Sequence, residues 1–465
     1  MTESEDGDSL LVTGGTVVTD SWSGPAEVLV RDGRVAAVLA PGSAPRDVSR
    51  VVDADGKLVM PGGVDPHCHI GVPLGEFVTL DDFESATLAA LAGGTTTIVD
   101  FAIPTPRQPA ESALRDKLAD GAAARCDFAL HGCITDVSAD IAETVAALAQ
   151  SGVRTIKLFT TYRDLLMVDT ATIEAVMNSL LKVDGLTYVH AEANDIVEAS
   201  QQEAVDGGYI GASGMARTRP TTAEERAVAD VLGAAERAGA PVYFVHQSSP
   251  GAVDQVIDAW RRGVRAFSES CPHYLVLDDT AYETEHPERY VCCPPLRNRG
   301  TVDQLGSRLA SGFVDTVGSD HCCYDVAQKL LRKSDVRAMP NGLPGVETRL
   351  AVVWDKFVRS GAISMQRFVA LVAANPARLN GLYPRKGTIA PGADADIVVF
   401  DPESTRTVHA RELHMKSDYT PYEGRGVTGW PTTVMARGRI VFDEGTLRDP
   451  GPVGEYLEAG PVMAL

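Results

Sequence analysis

The sequence lacks any run of eighteen apolar residues, so it predicts no helix that crosses a bilayer. It is short of positive charge: 42 Lys and Arg stand against 63 Asp and Glu, a formal net charge of −21. Such a surface repels phosphate backbones, which argues against nucleic acid as a partner and leaves solubility through self-repulsion as the reading of the charge. Basic residues are missing from the N-terminus too, where MTESEDGD is unlike a secretory or mitochondrial leader, and a cytoplasmic protein is expected. No CxxC unit occurs among the eight cysteines. The adjacent pairs Cys292-Cys293 and Cys322-Cys323 do not read as a secreted disulfide framework, so reduced thiols are expected. Histidine is scarce as well, at ten copies.

What is there is an ordinary globular balance, 44% hydrophobic and 23% charged, which excludes disorder for most of the chain. A length of 465 residues suggests three domains at about 150 each, although α/β barrels often take 200–250 in one. The order of elements reduces three to two. The first sixty residues carry short runs with the period of two of half-exposed strands, as in SLLVTGGTVV and AEVLVRDGRVAAVLA. Similar runs return late, in DADIVVFDPE and TTVMARGRIVFDEG, so one small β domain completed by both termini is expected.

Between them, β-branched runs alternate with Ala/Leu-rich stretches of helical period. The strand candidates are GGVDPHCH, TTTIVDFAI, DFALHGCIT, RTIKLFTT, LTYVHAE, PVYFVHQSS, RAFSESCPH and VDTVGSDH. Eight such runs with helices between them are the count of a (β/α)8 barrel, whose active sites lie at the C-terminal strand ends.

Polar residues at those ends form the most informative pattern. Run one ends in His67-Cys68-His69, and strand alternation puts both histidines on one face. Run four carries Lys157, run five ends at His190, run six at His246 and run eight at Asp320. Singly, each has a plain explanation: a hydrogen-bonded core histidine, a surface lysine, a capping aspartate. Five strands of one barrel would have to supply such coincidences together, and a metal-assisted hydrolase places its ligands there. A buried lysine among histidines must be neutral or converted to an anion, because its ammonium would repel a cation. Carboxylation by carbon dioxide makes it a bidentate bridge between two divalent ions, which can share a hydroxide suited to attack on a carbonyl. On this reading His67, His69 and Asp320 hold one ion, His190 and His246 the other, and N6-carboxylated Lys157 spans them. Asp320 also accepts the hydroxide proton and passes it to the leaving nitrogen.

The stretch MPGGVDPHCHIGVPLGEFVTLDDFESATLAALAGGTTTIVDFAIP resembles the first barrel segment of the hydantoinase and dihydropyrimidinase family of cyclic amidohydrolases. IKLFTTY, VHAE, FVHQSS, ESCPHYL, PPLRNR, VGSDHC and MPNGLPGVE echo the same family, and KGTIAPGADADIVVFDP is similar to cyclic amidohydrolase tails in general. The resemblance implies a distorted barrel over residues 61–384 and a β-sandwich from 10–60 plus 385–450. An acidic flexible start over 1–9 and a tail over 451–465 complete the expected division. It implies hydrolytic opening of hydantoins or dihydropyrimidines to N-carbamoyl amino acids, a small cyclic amide or imide as partner, and a homotetramer or homodimer. Zinc is the expected metal, and manganese or cobalt would satisfy the same ligands.

Residue by residue, the six ligand positions match. Tyr162 matches the tyrosine that stabilises the oxyanion, and Asn341 the residue whose main chain reads the ring amide. Cys293 stands where the family more usually has serine, at a contact made by the backbone. Leu74, Phe159 and Leu166 match positions lining the pocket for the exocyclic substituent, with Ile103 on a neighbouring loop. The triplet Leu165-Leu166-Met167 suits such a wall, packing under its own loop, or a subunit interface. A dihydroorotase-like enzyme would follow HxH with arginine, whereas Ile70 and Gly71 follow here. Allantoinase motifs overlap heavily with these and form the alternative enzymatic reading. A non-catalytic scaffold of the collapsin-response mediator type would have lost metal ligands that this chain keeps.

Overall fold

The computed structural model describes residues 9–45, 47–136, 140–463 and 465. The acidic start expected over 1–9 lies outside the described residues except for Ser9, which opens a strand.

All eight runs form strands: β1 (Gly63–Cys68), β2 (Thr95–Ala102), β3 (Asp127–Cys133), β4 (Thr155–Phe159), β5 (Leu186–His190), β6 (Val242–Phe244), β7 (Ala266–Ser270) and β8 (Thr316–Val317). They are parallel, and each pairs with its sequence neighbour. β8 is only two residues long, so the ring closes beyond it. There His321 bridges Cys68, and the His69 amide donates to the His321 carbonyl at 2.8 Å. The barrel is therefore distorted at the seam between its first and last strands, where His69 and Asp320 sit.

Helices cover the outside. The LDDFESATLAALAGG stretch forms the helix Phe83–Ala92, started by Asp82, whose carboxylate accepts from the Ser85 amide at 2.9 Å. The helices Thr221–Ala238 and Pro250–Arg261 bury Val228, Val231, Leu232, Val253 and Val256 against the barrel on spacings of three and four.

The β-sandwich draws on both chain ends. One sheet orders its strands as 34–39, 27–31, 9–13 and 50–53; the other contains Ile397–Thr407 paired antiparallel with Leu58–Pro61. Leu10, Val12, Val28 and Val59 from the first end share a core with Ile397, Val399 and Met435 from the second. Neither end alone has the apolar face for an independent core. Lys386 links sandwich to barrel: its buried ammonium reaches Asp127 at 2.6 Å, Asp396 at 2.8 Å and Asp394 at 3.0 Å. The last residues return to the barrel, where Leu457 donates its amide to the Phe128 carbonyl and is buried. All eight cysteines are buried and unpaired. Among the described residues, no helix is long and apolar enough to cross a membrane.

Candidate metal centre

The six residues singled out at the barrel strands converge. His67 lies inside β1 and His69 just past it on the same face, so their Nε2 atoms come within 3.2 Å. Asp320 Oδ1 closes a triangle at 3.1 Å from His67 Nε2 and 3.3 Å from His69 Nε2. Across the barrel, His190 Nδ1 lies 3.0 Å from His246 Nε2. His246 and Asp320 hold their places with positive φ angles of 39° and 48°, in the left-handed region that costs non-glycine residues energy. Gly318, two residues before Asp320, is required by its neighbours: a Cβ there would stand 2.8 Å from Glu269 Oε2.

Lys157 projects from the middle of β4 and is buried. Its Nζ lies 4.7 Å from the Phe101 ring centre and 5.2 Å from that of Phe159. Burial draws its amine down to about 8 against the upward pull of Asp320 and Glu269. An amine so placed is far easier to deprotonate than a surface lysine, as reaction with carbon dioxide requires. Phe101 is the apolar floor of the cluster, stacked on His69 with ring centres 5.0 Å apart.

Two carboxylates that were given no role from the sequence set the histidine tautomers. Glu269, at the end of β7, takes His67 Nδ1 at 2.7 Å and the His246 amide at 2.9 Å on one oxygen, and the Tyr243 hydroxyl at 2.6 Å on the other. Glu192 takes His190 Nε2 at 2.7 Å and Arg219 at 2.5 Å. Each carboxylate fixes a proton on the outer nitrogen and turns the inner lone pair toward the cluster. The signal for Glu192 was alternation, two residues past His190 on one face. Glu269 was a carboxylate at the end of run seven, the same criterion that picked Asp320. His131, by contrast, is a satisfied core histidine, held by Thr155 Oγ1 at 2.7 Å and the Pro66 carbonyl at 3.0 Å.

The donors fit a pair of metal ions. Ligands about 2.0–2.1 Å from a tetrahedral centre lie about 3.3 Å apart, close to the 3.0 to 3.3 Å seen within the triangle and the histidine pair. His69 and His246 both turn Nε2 into the cluster, and on the outer side of each ring Nδ1 is buried without a partner, free of any competing backbone or carboxylate hydrogen bond. Burial disfavours charge on His67, yet Glu269 and Asp320 outweigh it and hold a second proton on the ring, one that an ion taken up at Nε2 would displace. Burial keeps His246 well below its ordinary value, neutral as a ligand must be.

A cavity of about 200 Å³ has Tyr162, Arg219, Cys293 and Asn341 among its walls; none of the six metal-site residues lines it, and Arg219 connects it to His190 through Glu192. The Tyr162 ring lies 5.4 Å from that of His190, and its backbone is left-handed at φ 69°. Burial pushes its phenol well above the usual value, so it keeps its proton and shares a hydrogen bond with the Cys293 thiol. Asn341 Oδ1 is buried without a partner. Leu74, Phe159 and Leu166 do not line this cavity. Leu74 packs with Phe77, Cys322 and Tyr324, and Phe159 is buried against His190. Ile103, Leu166 and Met167 are half-buried, and Leu165 is exposed. A cleft of about 910 Å³ lies between sandwich and barrel, is rich in arginine, and contains none of these residues.

Comparison with known proteins gives one consistent result. Residues 58–441 match the Amidohydrolase family. The chain is 36% identical to a D-hydantoinase of Geobacillus stearothermophilus over 98% of its own length and 97% of the relative's. It is 38% identical to a dihydropyrimidinase of Rattus norvegicus over 97% of this chain and 89% of that one. The crystal structure of a dihydropyrimidinase from Brevibacillus agri superposes with a TM-score of 0.95 at 35% identity, covering 98% of this chain and all of the other.

Proposed function

The chain belongs to the amidohydrolase family and is a cyclic amide hydrolase of the hydantoinase and dihydropyrimidinase group, and from that premise we propose that it opens hydantoin or dihydropyrimidine rings to N-carbamoyl amino acids. The observation that carries the reading is the convergence of His67, His69 and Asp320 opposite His190 and His246, with Lys157 buried beside them.

Membership implies a binuclear metal centre. On our reading His67, His69 and Asp320 hold one ion and His190 and His246 the other, with N6-carboxylated Lys157 between them. The expected ions are zinc. Bound there, they supply Lewis acidity to the ring carbonyl and to a water molecule.

The chain's own residues do the rest. Tyr162 keeps its proton and donates it as a hydrogen bond to the carbonyl oxygen as negative charge develops. The Cys293 and Asn341 main chains hold the ring amide. An Asp320 carboxylate oxygen accepts a proton from the attacking water, whose oxygen bonds to the carbonyl carbon. When the ring C–N bond breaks, Asp320 returns that proton to the leaving nitrogen. Water is consumed and nothing is oxidised or reduced.

A substrate panel tests the proposal, with metal content measured on the same sample. Ring opening of hydantoin, dihydrouracil and their 5-substituted derivatives is expected, with about two divalent ions per chain. Opening of allantoin alone would overturn the assignment in favour of the allantoinase reading. A metal-free protein with unmodified Lys157 and no turnover would return the scaffold reading.

A further inference from the structure

Lys329 is a second buried lysine, away from the metal cluster. It sits on the short helix Val326–Leu330, whose start is set by a reciprocal cap between Asp325 and Gln328. Its ammonium has three hydrogens and makes three hydrogen bonds, all to main-chain carbonyls: Val291 at 2.7 Å, Pro340 at 2.8 Å and Gly342 at 2.8 Å. Burial draws it down to about 8, so it is still an ammonium at neutral pH.

The identity of the three acceptors matters more than their number. Val291 lies two residues before Cys293, and Pro340 and Gly342 flank Asn341. Cys293 and Asn341 are two walls of the cavity that Tyr162 and Arg219 also line. The two loops also touch directly, the Gly342 amide donating to the Val291 carbonyl at 3.1 Å. Gly342 is required by a third neighbour: its φ is 152°, and a Cβ there would clash with Cys322. A buried ammonium is expensive, and a lysine needed only to fill space could be replaced by an apolar residue at little cost. Lys329 instead joins the two segments that carry the ring-reading main chains.

We propose that Lys329 is a positioning residue for the ring-opening reaction: its ammonium clamps residues 291–293 to residues 340–342, so that the Cys293 and Asn341 main chains meet the ring amide together. The proposal rests on the ring-opening reading above. Reacting groups lose about 100-fold in efficiency when misplaced by about 1 Å, which sets the scale of the effect.

The test compares wild type with Lys329→Met and Lys329→Gln, using hydantoin and dihydrouracil as substrates. Metal content and hydrogen exchange around residues 67–69 and 246 should match wild type in both variants. Exchange in residues 291–293 and 340–342 should speed up. KM should rise about 10–100-fold in the Met variant, more than kcat falls, and by less in the Gln variant, which keeps two donors. If the Met variant fails to fold, the Gln variant carries the same comparison. Unchanged KM in a folded variant would overturn the positioning role while leaving the enzyme assignment intact. Parallel loss of metal, melting temperature and kcat would overturn it in favour of a purely structural role. A wild-type protein that opens neither ring would overturn the underlying reading instead.

Discussion

One oxygen of Glu269 lies 2.7 Å from His67 Nδ1, and neither side chain is exposed. The same oxygen accepts the main-chain amide of His246, so one carboxylate orients a residue from each half of the cluster. Glu269→Gln keeps the shape but offers an amide that can turn its NH2 toward His67 and leave the wrong tautomer. Outer partners of this kind are worth about 10–100-fold in metal affinity, and a loss of that size is expected by competition with a chelator. An unchanged affinity would show that the triangle of His67, His69 and Asp320 is held without Glu269.

Lys157→Ala should remove metal and turnover together, because on the proposed reading its carboxylated amine joins the two groups of donors. Short carboxylic acids such as formate or acetate, added in excess, should restore part of both by taking the place of the carboxylated amine. Mass measurement under mild conditions should find one carbon dioxide on wild type that acid releases. Full activity of the alanine variant without added acid would contradict the bridging role.

Much of this was legible from the strand pattern. The eight barrel runs stood out because parallel strands buried on both faces read as apolar, β-branched segments, five of which carry the singled-out histidines, lysine and aspartate, out of keeping with that burial. Lys157 was legible for the same reason, as a cation flanked by Ile156 and Leu158 in a strand with no solvent face. The seam at β8 was not, since a two-residue strand carries almost no periodicity and its closure runs through the His321 backbone. Glu192 and Glu269 were in view within VHAE and ESCPH, Glu192 even by its alternation with His190, but spacing alone does not say which histidine nitrogen a carboxylate holds. Lys329 was out of reach altogether: its three partners are carbonyls, and main-chain acceptors have no sequence signature.

Cys293→Ser should change kcat/KM by less than about threefold, a margin of about 0.7 kcal/mol, because on the proposed reading the ring contact at this position comes from the backbone. The side chain needs only to partner the Tyr162 hydroxyl, which serine does equally well. Burial pushes the thiol up to about 11 despite Arg219 nearby, so little thiolate exists at neutral pH. Alkylation by iodoacetamide should accordingly be slow in the native protein. A loss of activity beyond about tenfold in the serine variant would assign the thiol a direct part in the reaction.

Lys386→Met leaves Asp127, Asp394 and Asp396 buried together with their shared cation gone. Arg385 still pairs with Asp394, and Arg437 lies 3.5 Å from Asp127, so the loss is partial. Breaking one partner of a buried ion cluster costs about 3–5 kcal/mol, and a drop of that order in urea unfolding is expected. Adding Asp127→Asn and Asp396→Asn to the Met variant should recover part of it. If the single variant unfolds like wild type, the sandwich and barrel are held by their apolar contact alone.

His414 and Glu347 give the fold a dependence on pH away from the metal site. The Glu347 carboxylate accepts the His414 amide at 2.6 Å and lies 2.9 Å from its Nδ1 on the other oxygen. That hydrogen bond raises the histidine above its ordinary value, burial opposing it, while burial raises the Glu347 carboxyl. Both groups thus hold protons more tightly folded than unfolded. The histidine's contribution is complete below its unfolded value of about 6.5 and is lost as pH rises through its higher folded value. His414→Gln removes that contribution and keeps a hydrogen-bond donor. The stability gap between wild type and this variant should therefore be larger at about pH 5.5 than at about pH 9. A gap that stays constant or widens with pH would mean that the pair does not share its proton in the folded protein.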